Sequence, residues 1–190
     1  MDIIAHGAWS FLAAKAVNAR RTERPLNPWY TGLWGISPDL ASFGIVFAYG
    51  IVTLILGDRT FLSFMHQAPD TLEPVSAAAF PLASIVPLLY SLTHSLVIFF
   101  AVFTLILLIR RKPCWELLGW ALHIIIDVPT HSYAFYPTPV FWPLSDWKFD
   151  GISWGTTWFM IGNYAALAIS FFALHAPHMV KIRRTPNTHA

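Results

Sequence analysis

Long apolar runs alternate with short segments rich in basic residues and proline along the chain. Ile3–Val17 is apolar apart from His6, Ser10 and Lys15, and its length predicts a short amphipathic or partly inserted helix. The longer runs predict about four transmembrane helices. The predicted helices cover about residues 3–17, 38–56, 88–109, 115–128 and 153–175. The chain is therefore predicted to be all-α, a polytopic membrane helix bundle that forms one domain.

Proline and charged residues set the predicted helix boundaries. Ser37-Pro38-Asp39 places a hydroxyl, a proline and an acid where the first turn of a helix favours them, which predicts a spanning helix that begins at Pro38. Residues 18–29 predict an aqueous loop, and residues 58–81 predict an extramembrane connection. Pro129 is expected either to kink the fourth helix or to end it just before His131.

Composition points to a lipid environment. Hydrophobic residues make up 56% of the chain and charged residues 12%, which is too little polar surface to cover a water-soluble domain. Membrane lipids are therefore the expected partners. Basic residues occur in short clusters instead of along one face, which argues against nucleic acid as a partner. Cys114 is the only cysteine, so a metal site would have to use histidines and carboxylates.

The distribution of basic residues predicts the orientation. Arg59 and Lys148 lie on one side of the predicted spans, and nine basic residues lie on the other. These nine are Arg20, Arg21, Arg24, Arg110, Arg111, Lys112, Lys181, Arg183 and Arg184. The asymmetry predicts a cytoplasmic C-terminus. Met1–Ile4 lacks a basic n-region, so the N-terminal segment is expected to remain in the mature protein.

The chemically informative motif is His123-x3-Asp127-x3-His131. This spacing puts three metal-ligand side chains on one helical face, provided that the helix continues past Pro129. The alternative is a buried His-Asp pair that satisfies itself by hydrogen bonding, with His131 in an interfacial loop. A carboxylate near the centre of a membrane helix costs roughly 2.5–3.5 kcal/mol on insertion scales, which favours the functional interpretation.

Three further residues could converge on this motif. His94, between Thr93 and Ser95, and His6, in the first apolar segment, are each compatible with a hydrogen-bonded structural role when considered alone. Asp39 is expected either to stabilise the positive end of a helix dipole or to act as a metal carboxylate. In the second case, residues 29–37 would have to run into the membrane as a protein-buried re-entrant segment.

Other catalytic motifs have no support in the sequence. It contains no nucleophile elbow, no phosphate-binding glycine loop and no HExxH. Asp146, in the segment Trp142-Pro143-Leu144-Ser145-Asp146, is expected on the outer side with His131, where it would either line a site or be a solvated loop acid.

Together these motifs resemble the bacterial inner-membrane family named membrane-bound metal-dependent hydrolases. The matching segments are Met1-Asp2-Ile3-Ile4-Ala5-His6-Gly7, Ser37-Pro38-Asp39, Thr93-His94-Ser95, Gly119-x3-His123-x3-Asp127-x3-His131 and Trp142-Pro143-Leu144-Ser145. The resemblance implies a divalent metal, hydrolysis and a bacterial inner-membrane location. It also implies His6, Asp39, His94, His123, Asp127 and His131 as metal ligands.

The sequence departs from this family at two points. Leu40 and Ala41 follow Asp39 where members often show a second acid, and the histidine often seen before Thr93-His94-Ser95 is missing. Both departures argue against a two-metal version of the site.

Two functional hypotheses follow. The first is an integral-membrane hydrolase that holds zinc, with manganese as the alternative, and acts on a phosphoester or lipid head group at the outer interface. Asp39 or Asp146 would then accept the proton of the attacking water. The second is a non-enzymatic membrane protein whose buried histidines and acids transfer protons or metal ions, or fix helix packing.

Overall fold

The computed structural model describes residues 1–20, 24–59 and 83–182, and these residues form six α-helices and no β-strand. The helices are α1 (Ile3–Asn18), α2 (Pro28–Ile55), α3 (Val86–Thr93), α4 (Leu96–Arg110), α5 (Leu118–Thr130) and α6 (Thr157–Ile182). Short 3₁₀ turns at Ala83–Ile85 and Trp115–Leu117 precede α3 and α5. The predicted all-helical fold is thus confirmed for the described part of the chain.

Two described helices are long and apolar enough to cross a membrane. They are α2 and the segment Thr157–Leu174 of α6. A third span results if α3 and α4 count as one, although they are bent by 61° at the break between them. The span predicted over residues 115–128 corresponds to α5, whose 13 residues cover only about 20 Å. A protein with membrane-spanning helices is therefore supported, whereas the number four stays a prediction.

The prediction that a helix begins at Pro38 is wrong. Helix α2 begins at Pro28, where the side chain of Asn27 accepts hydrogen bonds from the first turn, and Pro38 lies inside the helix. A proline inside a helix leaves the carbonyl four residues earlier without its backbone donor. Here Ser37 Oγ donates to that oxygen, on Trp34, at 2.9 Å. Ser37 therefore satisfies the carbonyl that Pro38 leaves without a backbone donor, at the position where the sequence predicted an N-cap.

The break between α3 and α4 is enclosed by protein. His94 ends α3 with its N–H on Tyr90 O, and the side chain of Ser95 caps α4. Ser95 Oγ also donates to Trp142 O at 2.5 Å, and Leu96 N donates to Val140 O at 3.0 Å. Non-helical backbone is tolerated at membrane depth only where other groups satisfy it, and residues 140–142 provide these groups.

Glycines allow α1 and α5 to approach α2 closely. A Cβ at Gly35 of α2 would lie 2.2 Å from Ser10 Oγ of α1, and a Cβ at Gly119 of α5 would lie 2.1 Å from Thr31 O of α2. Small residues at such crossings let helix backbones pack in contact. The crossings bring the interior faces of α1, α2 and α5 together. Helix α6 packs on the outer side of α1, where Trp9 Nε1 donates to Asn163 at 2.8 Å.

The described basic segments gather at one end of the bundle. Asn27 N donates to Glu116 at 3.2 Å, so the start of α2, next to Arg24, lies beside the start of α5, which follows Arg110–Lys112. Lys148 belongs to the opposite end, because its carbonyl accepts from Tyr133, beyond the end of α5. Arg21, Arg183, Arg184 and most of the predicted 58–81 connection lie outside the described residues.

Candidate metal centre

Four buried metal-ligand side chains meet at the centre of the bundle. They are Asp39 of α2, His94 at the α3–α4 break, and His123 and Asp127 of α5. One ligand atom from each of these residues lies within 4.8 Å of those of the others. His94, His123 and Asp127 are 0% exposed, and Asp39 is 6% exposed. We refer to these four residues as the central cluster.

The distances in the central cluster would suit groups that share one small partner. His94 Nε2 lies 3.0 Å from His123 Nε2. Asp127 Oδ2 lies 3.1 Å from His123 Nε2 and 3.4 Å from His94 Nε2. Asp39 Oδ1 lies 3.5 Å and 3.8 Å from the same two nitrogens. Nitrogen ligands at the usual zinc distance and tetrahedral angle lie about 3.3 Å apart, so the spacing fits a single ion.

Backbone carbonyls orient both imidazoles of the central cluster. His123 Nδ1 lies 2.7 Å from Gly35 O, and His94 Nδ1 lies 3.2 Å from Tyr90 O. A carbonyl oxygen only accepts, so a hydrogen on Nδ1 satisfies each carbonyl, and the hydroxyl of Thr93, 2.9 Å from His94 Nδ1, can accept there as well. In that tautomer a neutral ring presents the lone pair of Nε2 to the cluster. Two lone pairs at 3.0 Å repel each other. A cation or a shared proton between the nitrogens removes this repulsion.

The second oxygen of Asp127 has a separate set of neighbours. His6 Nε2 of α1 lies 2.8 Å from Oδ1, and His131 Nε2 lies 3.4 Å from it. The backbone nitrogen of Met1 donates to Oδ1 at 2.5 Å. Helix α5 ends at Thr130, and the N–H of His131 still bonds to Asp127 O at 3.1 Å. Pro129 therefore does not separate His131 from the motif, and the structure gathers all six residues predicted as ligands.

Several polar atoms of the site have no hydrogen-bond partner. They are Asp39 Oδ2, Asp127 Oδ2 and both ring nitrogens of His6. A buried polar atom without a partner costs about 1–3 kcal/mol, and more when charged. Four such atoms in one place are compatible with a site that could hold an ion. Imidazoles together with carboxylates are the donors that zinc and manganese accept.

Aromatic side chains cover the central cluster toward the end of the bundle opposite the basic segments. The ring of Tyr90 stacks on that of His94 with centroids 3.8 Å apart, and its hydroxyl donates to Tyr136 O at 2.8 Å. Phe43 packs against both tyrosines. These rings exclude water and lower the local dielectric around the histidines and acids.

The structure distinguishes between the alternatives for two acids. Asp39 does not lie in the first turn of a helix, since α2 begins at Pro28, so the helix-dipole role is wrong and no re-entrant segment is needed. Asp146 is exposed and is not among the residues gathered at the site. The segment before Asp146 contacts the break between α3 and α4 instead, because Trp142 O accepts a hydrogen bond from Ser95 there.

Residue types along the chain do not identify the groups that orient the histidines. These groups are backbone carbonyls of Gly35, Tyr90 and Phe135, and a carbonyl has no residue-type signature. One signal was available, because Gly35 lies four residues before Asp39 and shares its helical face.

No protein-family model, no curated protein and no solved structure matched the chain.

Proposed function

We propose that the protein is an integral-membrane, metal-dependent hydrolase whose central cluster holds one divalent cation. The observation that carries this proposal is the convergence of two carboxylates and two Nε2 lone pairs, 3.0 Å apart at the histidines, in a buried pocket. The family resemblance of the sequence motifs points the same way, so membership of the membrane-bound metal-dependent hydrolases is part of the proposal.

In this proposal the residues of the site are metal ligands or proton acceptors. The ligands that would hold the ion are His94, His123, Asp127 Oδ2 and Asp39 Oδ1, with zinc favoured and manganese as the alternative. A divalent cation in such a site makes water more acidic and polarises a phosphoryl or acyl oxygen. Asp39 Oδ2, which has no hydrogen-bond partner, would accept the proton of the attacking water. It takes this role in place of the exposed Asp146.

The substrate is a phosphoester or lipid head group that reaches the site from the membrane. Asp39 follows Pro28 by about 17 Å along the α2 axis, about half of the roughly 30 Å hydrocarbon layer. In this proposal α5 and its flanking segments complete a fourth span, the basic end faces the cytoplasm, and the C-terminus of α6 lies there too, in a bacterial inner membrane. Membrane lipids surround the bundle.

Metal content and turnover of the purified protein test the proposal together. We expect about one zinc or manganese ion tightly bound per chain and hydrolysis of at least one phosphodiester or lipid ester in a substrate panel. His123→Ala and Asp127→Asn should lose both, while Asp146→Asn, which also removes one acid, should keep both. Wild-type protein that binds no divalent ion would refute the proposal.

A second candidate function is proton or metal-ion transfer. The 3.0 Å separation of His94 Nε2 and His123 Nε2 suits a shared proton, and the complete burial of both rings suits a relay. Reconstituted liposomes distinguish the candidates. Proton or divalent-ion flux that Asp127→Asn abolishes, without turnover on any substrate, would favour transfer over hydrolysis.

A further inference from the structure

Asp127 faces different imidazoles with its two carboxylate oxygens. Oδ2 lies nearest His123 and His94, at 3.1 Å and 3.4 Å, and so belongs to the central cluster. The imidazoles nearest Oδ1 are those of His6 and His131, at 2.8 Å and 3.4 Å. An ion in the central cluster accounts for Oδ2 and leaves the two imidazoles on the Oδ1 side unexplained.

His6 gives the strongest reason to look for a ligand on that side. The residue is 0% exposed, and neither ring nitrogen has a hydrogen-bond partner, although Nε2 is 2.8 Å from Oδ1. The ring stacks on that of His123 with centroids 3.7 Å apart, so packing holds it in place. A nitrogen and an oxygen that lie this close without being aligned for a hydrogen bond have the arrangement of two ligand atoms that bind one cation.

His131 completes the set. Its Nδ1 lies 3.0 Å from Phe135 O, so the hydrogen resides on Nδ1 and Nε2 presents its lone pair toward Oδ1. We propose that Asp127 bridges two cation positions, and that His6 Nε2, His131 Nε2 and Asp127 Oδ1 form the second. This inference rests on the proposed metal site and adds a second divalent ion to it. It requires neither the second acid nor the extra histidine whose absence argued against a two-metal site.

The backbone nitrogen of Met1 competes for the same position. It lies 2.5 Å from Oδ1 and 3.0 Å from His131 Nε2, where an N–H donor can serve both atoms in place of a cation. The two arrangements differ in metal stoichiometry. The second ion should also bind more weakly, because it has three ligands and shares its only carboxylate, whereas the first has four ligands and two carboxylates.

Metal titration of the chelator-stripped, detergent-solubilised protein tests the inference. Zinc is added and bound metal is counted by mass spectrometry after gel filtration, with Mn²⁺ as a parallel probe. We expect two ions per chain in the wild type, taken up in two steps. His6→Ala and His131→Ala should lose the weaker ion and keep the tighter one, and His94→Ala should lose the tighter one.

Other outcomes separate this inference from the proposed function. Uptake of a single ion that His6→Ala leaves in place would overturn the second position and assign Oδ1 to the Met1 nitrogen, with the proposed function intact. Uptake of no ion would overturn both. If His6→Ala fails to fold by gel filtration, the wild-type stoichiometry and the milder His131→Gln decide, and a His131→Gln protein that still binds two ions would contradict the inference.

Discussion

Helices α4 and α5 are neighbours in sequence, yet they use their side chains in opposite ways. In α4 only Phe99 is buried, and apolar side chains such as Phe100, Leu108 and Ile109 are exposed by 60–72%. In α5 seven residues are buried, among them His123 and Asp127. Helix α4 thus resembles a helix solvated by lipid, whereas α5 keeps its polar groups against α1 and α2.

The difference indicates that hydropathy predicts which helices expose apolar side chains, while buried acids and histidines predict which helix contributes to the candidate metal centre. A bilayer tolerates a charged side chain only when protein groups surround it. Asp127 is surrounded by four imidazoles, and Asp39 by two of the same rings. The α5 side chains are therefore expected to be sensitive to substitution even where their size is kept.

The largest expected effect is that of Asp127→Asn. The change keeps the shape of the side chain but removes the charge that faces His6, His94, His123 and His131, so we expect loss of bound metal and a large drop in thermal stability. Metal analysis and the melting temperature in detergent measure both. Asp146→Asn is the matched control. Equal metal content and equal melting temperatures of the two variants would contradict the prediction that the buried acid of α5 is the more sensitive one.

The next largest effect is a difference in stability between variants of two adjacent phenylalanines of α4. Phe99 is 1% exposed and packs edge-on against Trp120 of α5, whereas Phe100 is 60% exposed. We expect Phe99→Ala to lower the free energy of unfolding by about 3–5 kcal/mol and Phe100→Ala by much less. Reversible unfolding in mixed micelles measures the difference. A greater loss in Phe100→Ala would mean that α4 buries its other face.

A smaller effect is expected at the helix crossings. Gly119→Ala would force a methyl group against Thr31 O, so the free energy of unfolding should fall by about 1–3 kcal/mol and metal affinity should fall with it. Gly44→Ala on α2 is the control, because no atom lies within 4 Å of its added Cβ. We expect that variant to be neutral or stabilised by up to about 1 kcal/mol. A larger loss of stability in Gly44→Ala than in Gly119→Ala would contradict the close approach of α5 to α2.

The smallest effect concerns the repaired proline turn of α2. Ser37→Ala removes the donor to Trp34 O and should lower the free energy of unfolding by about 1 kcal/mol. In the double variant with Pro38→Ala a backbone N–H returns to position 38, so the loss should shrink. The same denaturation assay measures the two variants, and identical losses in both would show that Ser37 does not serve this carbonyl.

The sequence predicted the helical fold and the side chains that converge at the centre of the bundle. It did not predict that α2 starts at Pro28. Helix α1 was predicted at 3–17 and extends over Ile3–Asn18, because apolar content decides such a segment. Pro38 was misinterpreted because a serine before a proline has the same pattern at a helix start and at a repaired turn inside a helix. Only the contact of Ser37 with Trp34 distinguishes the two.

The site was predictable in its side chains but not in its geometry. His123 and Asp127 are linked by helical spacing, whereas His6, Asp39 and His94 reach them through the Gly35 and Gly119 crossings and the bend between α3 and α4. Close approach of backbones and a break in a helix depend on tertiary contacts. A pattern within one segment therefore does not determine them, and the same holds for the exposure of Asp146.

An experimental structure with anomalous scattering measured at the zinc and manganese edges tests the central claim most directly. We predict an anomalous peak within bonding distance of His94 Nε2, His123 Nε2 and Asp127 Oδ2, with both Nδ1 atoms still beside the carbonyls of Tyr90 and Gly35. A map without a peak, in which His94 turns away from His123, would contradict it.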